Sequence, residues 1–188
     1  MIKKPIASEI SGIAEIHYDN LKEGLLYVLG KGILKVFYKE LLNDRESILL
    51  AYYSDGRIVG IAASTKDTEK LFDKIKKKYF FRVVFNVLKK SVISPGFIFK
   101  LLESKYSSSI KAELLFLFVD KGHRGEGIGK KLVAATSKKF RKMGVRKYRI
   151  TIMPSNRDGI KFYEKLGFRK SGEFKFFGKK RHIFTINS

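Results

Sequence analysis

The spacing of apolar positions changes several times along the chain. Ile10, Ile13, Ala14 and Leu21 recur at helical intervals behind Ser8, a residue type that caps helices. Leu26, Leu29, Ile33, Phe37 and Leu41 form a second stripe, which predicts a helix over 25–42 that Gly30 and Gly32 weaken near its start. The period then shortens. Residues 48–53 and 58–64 are β-rich runs around Ser54-Asp55-Gly56-Arg57, and Asp-Gly between such runs signals a hairpin. Residues 2–6 suit a short first strand. LLFLFV, within 111–119, is apolar on both faces, as a central strand must be. Ile128, Leu132, Ala135, Phe140 and Met143 then mark a helix that Gly144 ends. A fifth strand over 148–152 stops at Pro154. A helix follows, capped by Ser155 or Asn156 and stopped at Gly167, before two closing strands over 168–176 and 181–186. The succession is α/β.

Residues 67–110 depart from this rhythm, being far too long for an ordinary loop. Leu71, Ile75, Tyr79, Arg82, Phe85 and Leu88 fall near one helical face, and Lys74, Lys77 and Lys78 lie elsewhere. Two helices broken at Pro95 are expected, the first basic and amphipathic. They form an insertion within a single domain spanning 1–188. A packed helical pair, a lid over a substrate, a dimer contact and an interfacial helix near anionic lipid all fit this pattern.

The richest chemistry lies where the central strand ends. DKGHRGEGIG joins that strand directly to the helix beginning near Ile128. Alternating Gly125, Gly127 and Gly129 let the backbone turn and approach a ligand. Amides that open a helix favour an anion, and Arg124, Lys130 and Lys131 add charge where a diphosphate would sit. The spacing is not that of a Walker loop, because Ile128 follows Gly127 where lysine is needed. Nor is it a dinucleotide fingerprint, because Lys130 stands where the third glycine belongs.

What remains is Arg124-x-x-Gly127-x-Gly129 between strand and helix, followed by N-x6-Y-x3-G-F from Asn156 through Tyr163 to Gly167 and Phe168. Together these resemble the two signatures of the GNAT superfamily, the acetyl-CoA-dependent N-acetyltransferases. The resemblance implies a mixed, mostly antiparallel sheet with splayed central strands flanked by helices. Acetyl-CoA would be the cosubstrate, with no metal. Its pantetheine arm would lie along Leu117, Phe118 and Val119, its pyrophosphate within Arg124, Gly125, Glu126, Gly127, Ile128, Gly129 and Lys130, and Asn156 would touch the arm. Tyr163 matches the family's general acid to the leaving thiolate; packing beside Phe162 and Leu166 is its plainer reading. Glu113 matches the glutamate base of the histone-acetylating branch, with a carboxyl pKa raised beside an apolar run; a surface charge at a strand end is the alternative. Thr151 stands where the branch modifying ribosomal-protein N-termini has glutamate, which weakens that subclass. Lys121 replaces the proline common before the loop. Tyr18, Asp19, Asn20, Glu23 and Tyr27, at the first helix joint, are candidates for acceptor contact.

Composition narrows the setting. The 188 residues suffice for one domain with a core. There is no cysteine, which excludes disulfides and thiolate chemistry. Without a secretory pattern or an uncharged apolar span, a cytoplasmic location is expected. The formal charge of +22 fits either a lysine-rich solvated surface or attraction to a polyanion. The acceptor expected is a small-molecule or amino-sugar primary amine, anionic elsewhere. A protein or peptide acceptor, or a non-catalytic CoA- or nucleic-acid-binding module, is the alternative, and a homodimer, nucleic acid and an anionic membrane stay open as partners. His17 is read as a partly buried helix residue, His123 as an exposed loop residue with a phosphate contact as the alternative, and His182 is given no chemical role.

Overall fold

A computed structural model describes residues 1–22, 24–81, 84, 85, 87, 109–176 and 178–188. Strand β1 (Ile2–Lys3) leads through a 3₁₀ turn to helix α1 (Ile10–Asn20). The turn is fixed not by Ser8 but by Glu9, whose carboxylate accepts from the Ile6 amide at 2.8 Å. The helix predicted over 25–42 is two, α2 (Leu25–Leu29) and α3 (Lys31–Asn43). Gly30, at φ 89°, breaks it.

Strands β2 (Ser47–Ser54) and β3 (Arg57–Thr65) form the expected hairpin. Asp55 and Gly56 both have positive φ, the turn whose twist matches paired strands. After α4 (Thr68–Lys78) the described chain resumes near β4 (Glu113–Val119). Then come α5 (Ile128–Lys142), β5 (Lys147–Ile152), α6 (Arg157–Lys165), β6 (Arg169–Phe176) and β7 (Lys179–Asn187). The seven strands are ordered β1-β2-β3-β4-β5-β7-β6, antiparallel throughout except for β4 beside β5.

Strand alternation divides the core between the two faces of this sheet. Leu49, Ala51, Ile61 and Phe118 meet α1, α2, α3 and α4 on one side. Ile48, Leu50, Ala62, Leu114, Tyr148 and Ile150 meet α5 on the other.

The described start of the 67–110 segment belongs to the first layer. Asp67 caps α4 by accepting from Lys70 N–H at 3.0 Å, and Leu71 and Ile75 are buried. Its far end is tied to α3, because Lys78 and the Tyr79 hydroxyl both donate to the buried Glu40 carboxylate, at 2.6 and 2.9 Å. The predicted single apolar stripe does not continue. α4 ends at Tyr79, and in the helical residues beyond, Phe85 is 66% exposed. Arg82, Leu88, the break at Pro95 and the second predicted helix lie outside the described residues. Among the described residues no helix is long and apolar enough to cross a membrane.

Candidate active site

Parallel neighbours β4 and β5 share backbone pairing only at Glu113 and Arg149, where the Arg149 amide donates to the Ala112 carbonyl at 3.0 Å. Past that vertex the strands part, leaving a wedge with unpaired backbone along β4. Leu115 is a bulge, because Ala63 pairs with Phe116 and Ser64 with Leu114. It switches which backbone groups face which neighbour. Asp120 N–H donates to Val59 O at 2.8 Å, so the antiparallel alternation also gives Phe118 to β3. Leu117 and Val119 turn theirs into the wedge. The expectation that all three line a ligand arm is thus corrected for Phe118.

At the open end of β4 the chain makes a short 3₁₀ turn, Lys121–His123, in which His123 Nδ1 lies 3.4 Å from Asp120. Arg124 folds back and its Nε donates to Val119 O at 3.2 Å. Gly127 sits at the N-cap of α5 with φ 76°. The first helical bond is Lys131 N–H to Gly127 O, so the amides of Ile128, Gly129 and Lys130 precede it and are open to an anion. Gly125, Glu126, Gly127 and Lys130 are exposed. Gly129 matters for a different reason. A Cβ there would sit 3.1 Å from the Phe162 ring, so its absence lets α6 lie close over the start of α5.

From α6 the loop receives two more predicted residues. Asn156 caps the helix, its Oδ1 accepting from Gly159 N–H at 3.0 Å, which leaves its amide nitrogen for a ligand. Gly159 escaped the sequence reading; a Cβ there would lie 2.8 Å from both Asn156 and Ile152. Tyr163 is half-buried, with ring centroids 5.1 Å from Phe162 and 5.2 Å from Phe168. Its hydroxyl makes no hydrogen bond to a described residue. Burial, and then the Tyr148 phenol, push its pKa well above the usual tyrosine range. Tyr163 therefore keeps its proton near neutrality. It is better suited to donating a hydrogen bond than to releasing the proton outright.

Glu113 does not fit the role of base. It is 5% exposed at the closed vertex of the wedge. Its Oε2 accepts from Arg149 Nε and Nη2 at 3.0 and 2.8 Å and from Thr68 at 3.1 Å, and Oε1 accepts from Thr151 at 3.0 Å. A carboxylate so occupied inside the protein pins two strands together; it is not poised to take a proton from a substrate. The clue in the sequence was Arg149. In KYRITI, Tyr148, Ile150 and Ile152 supply one apolar face, so Arg149 and Thr151 must fall on the other and need a polar partner.

Helix α1 and the residue preceding α2 contact strands on either side of the gap. On one side the His17 ring lies 4.5 Å, centroid to centroid, from Phe116 of β4. On the other, the Cβ position of Gly24 is 3.9 Å from Arg181 Nη2 on β7, next to His182, the partner of Ile152. On the same helices Tyr18 and Tyr27 pack with centroids 4.6 Å apart, and Lys31 Nζ lies 5.2 Å from the Tyr18 centroid. Asn20 instead bonds its own helix, at Ile16 O (2.9 Å), Asp19 is exposed, and Glu23 is outside the described residues.

His17 is fully buried, with Nδ1 2.7 Å from the Tyr38 hydroxyl and, among the described residues, no partner at Nε2. Burial lowers its pKa to about 4, so it is neutral in the fold. The unfolded chain, with the ring near its ordinary 6.5, binds a proton that the fold refuses. Stability from this source is complete above pH 6.5 and falls by on the order of 3 kcal/mol as the pH drops toward 4. Urea melts of His17→Gln across that window are expected to be flatter than those of the wild type. Superimposable pH profiles would show that the acid loss arises elsewhere.

The chain matches the acetyltransferase (GNAT) family over residues 15–168. No curated protein matches it by sequence. Its fold is similar to that of a ribosomal-protein-alanine N-acetyltransferase from Brucella melitensis, with TM-score 0.65 and 16% identity over 100% of this chain and 99% of that one. It is similar to PaiA N-acetyltransferase from Thermoplasma acidophilum, solved in complex with coenzyme A, with TM-score 0.65 and 16% identity over 100% and 98% of the two chains. Ard1 from Thermoplasma volcanium gives TM-score 0.64 and 15% identity over 100% and 96%. The family match, laid over a sheet that splits beside a glycine-rich helix start, makes this chain a member of the GNAT family of acetyltransferases.

Proposed function

We propose that the chain transfers an acetyl group from acetyl-CoA to the primary amine of a small acceptor, an amino sugar or similar molecule carrying negative charge elsewhere. When bound, acetyl-CoA supplies the activated acyl group; the residues present suit it. The amides of Ile128, Gly129 and Lys130, with Arg124 beside them, offer donors and charge to a diphosphate. The backbone of Leu117 and Val119 offers strand-like pairing to an extended arm, the Asn156 amide nitrogen is left for a ligand, and an unpaired amide in the wedge suits a developing oxyanion. Tyr163 donates a hydrogen bond toward the leaving sulfur. The attacking amine must be neutral, and a free alkylamine near pKa 10.4 is helped by desolvation within the wedge.

One observation carries the acceptor reading. His17 of α1 lies against Phe116 on β4 and Gly24 lies near Arg181 on β7, and on the same helices Tyr18, Tyr27 and Lys31 pack together. Aromatic and cationic side chains on helices that contact both sides of the gap suit a compact anionic molecule better than an extended polypeptide. A peptide acceptor is the second reading, favoured by the similarity in fold to a ribosomal-protein-alanine N-acetyltransferase.

Thiol release from acetyl-CoA against amino-sugar nucleotides, polyamines, aminoglycosides and short peptides separates the two. Saturable release with an anionic amino sugar is expected, and release with peptides alone would overturn the acceptor class. With the active acceptor, Tyr163→Phe is expected to lower kcat roughly tenfold to a hundredfold and leave acetyl-CoA affinity unchanged. Wild-type turnover would reduce Tyr163 to a packing residue.

A further inference from the structure

Beyond α4 the chain carries apolar side chains on two sides at once. Val84 is half-buried, and Val87 packs against the core on the α1–α4 side of the sheet. Phe81 and Phe85, one helical turn apart, point the other way and are 85% and 66% exposed. Phe80, 57% exposed, lies beside Phe81 with ring centroids 5.5 Å apart. Three large aromatic side chains in water at one place mark an interaction surface.

The charge beside them says what it meets. Lys74, Lys76 and Lys77 are exposed on the last turns of α4, immediately before these phenylalanines, while the ammonium of Lys78 is held by the buried Glu40. Lys74 and Lys76 form surface ion pairs with Asp44 and Asp73, which are weak and leave both ammonium groups in solvent. A formal charge of +22 opposes the approach of a second copy and favours an anionic partner. The phenylalanines follow the lysines along the chain and do not alternate with them, unlike the interleaved aromatic and cationic side chains that track a nucleic-acid strand. Lysines bordering outward phenylalanines are the composition of a helix that lies in a membrane interface.

We propose that Phe81 and Phe85, flanked by the lysines of α4, dock this enzyme on an anionic lipid bilayer. The phenylalanines enter the boundary between headgroups and acyl chains while the lysines meet the headgroup charge. None of these residues belongs to the wedge or the glycine-rich loop, so the surface concerns where the enzyme works and is independent of the acceptor.

The test is co-sedimentation of the full chain with vesicles of phosphatidylcholine alone and of phosphatidylcholine with about one third phosphatidylglycerol. Binding is expected to the anionic vesicles only and to weaken with salt. The double variant Phe81→Ser/Phe85→Ser keeps every charge, and its affinity for anionic vesicles is expected to fall roughly tenfold or more. Lys76→Gln/Lys77→Gln should weaken binding while retaining the apolar contact. Absence of binding overturns the proposal, as does a phenylalanine variant that binds like the wild type, which would leave only the diffuse attraction of a basic protein. Tighter binding to a single-stranded RNA oligomer, lost in the phenylalanine variant, would make the surface a nucleic-acid platform instead. A dimer by light scattering that the variant dissociates would make it a self-association face. A clear drop in the variant's melting temperature without lipid would show that the rings pack against the protein, again overturning the proposal.

Discussion

Arg149→Met is expected to destabilise the fold by about 3–5 kcal/mol, the cost of leaving a buried carboxylate without its partner. Arg149 and Glu113 are each 6% exposed in their side chains, and the guanidinium gives two hydrogen bonds to one carboxylate oxygen. Thr68 and Thr151 satisfy part of what remains but bring no charge. The pair holds β4 to β5 at the one place where they share backbone pairing, so its loss also loosens the vertex from which the wedge opens. The double variant Glu113→Leu/Arg149→Met removes both charges and should recover a large part of the loss, since an apolar replacement for a buried pair is often nearly neutral. Urea melts of the singles and the double give the coupling directly. The same residues decide between Glu113 as anchor and Glu113 as base. Glu113→Gln should lower stability and leave the shape of the pH–rate profile alone; a displaced acidic limb with wild-type stability would restore the base.

How far the sequence revealed these features depended on whether the physics was local. The Asp55-Gly56 hairpin, the glycine-rich turn into α5, the Asn156 cap and the stop at Gly167 each depend on residues within a few positions of one another, and each was readable. The gap along β4 was read through resemblance to a family, because nothing in LLFLFV says that its neighbour will veer away. Glu113 was misjudged because its partner Arg149 is distant in sequence, and burial of both depends on the pairing of two strands. Phe118 was grouped with Leu117 and Val119 because a bulge at Leu115, set by the register with β3, is invisible in the strand's own pattern. The break at Gly30 was underestimated. A glycine that only weakens a helix and one that adopts φ 89° look alike until the packing of α2 and α3 is known. Periodicity places Phe85 on the face of Leu71 and Ile75 because it assumes one unbroken helix; the turn at Tyr79 resets the phase.

Gly127→Val is expected to weaken acetyl-CoA binding by roughly a hundredfold or more while leaving the protein folded. Gly127 is the N-cap of α5 at φ 76°, and a Cβ there meets no protein atom within 4 Å. The obstacle is conformational. A left-handed backbone costs an ordinary L-residue about 1–2 kcal/mol, and more if it is β-branched. Valine relieves that strain by rotating the backbone, which turns away the amides that open α5. Each hydrogen bond lost from a charged phosphate costs about 1.5–3 kcal/mol. Two such terms already amount to a hundredfold in affinity. Asparagine separates backbone from bulk, because it tolerates the left-handed region. Gly127→Asn should therefore bind far better than Gly127→Val although its side chain is about as large. Gly129→Leu reaches a similar loss by another route, pushing Phe162 and with it α6 away from the loop. Titration calorimetry with acetyl-CoA, beside thermal melts of each variant, gives the order. Equal affinity for Gly127→Val and wild type would mean that the start of α5 does not hold the diphosphate. Equal loss in the asparagine and valine variants would mean that the space before the helix, not its backbone conformation, is what the ligand needs.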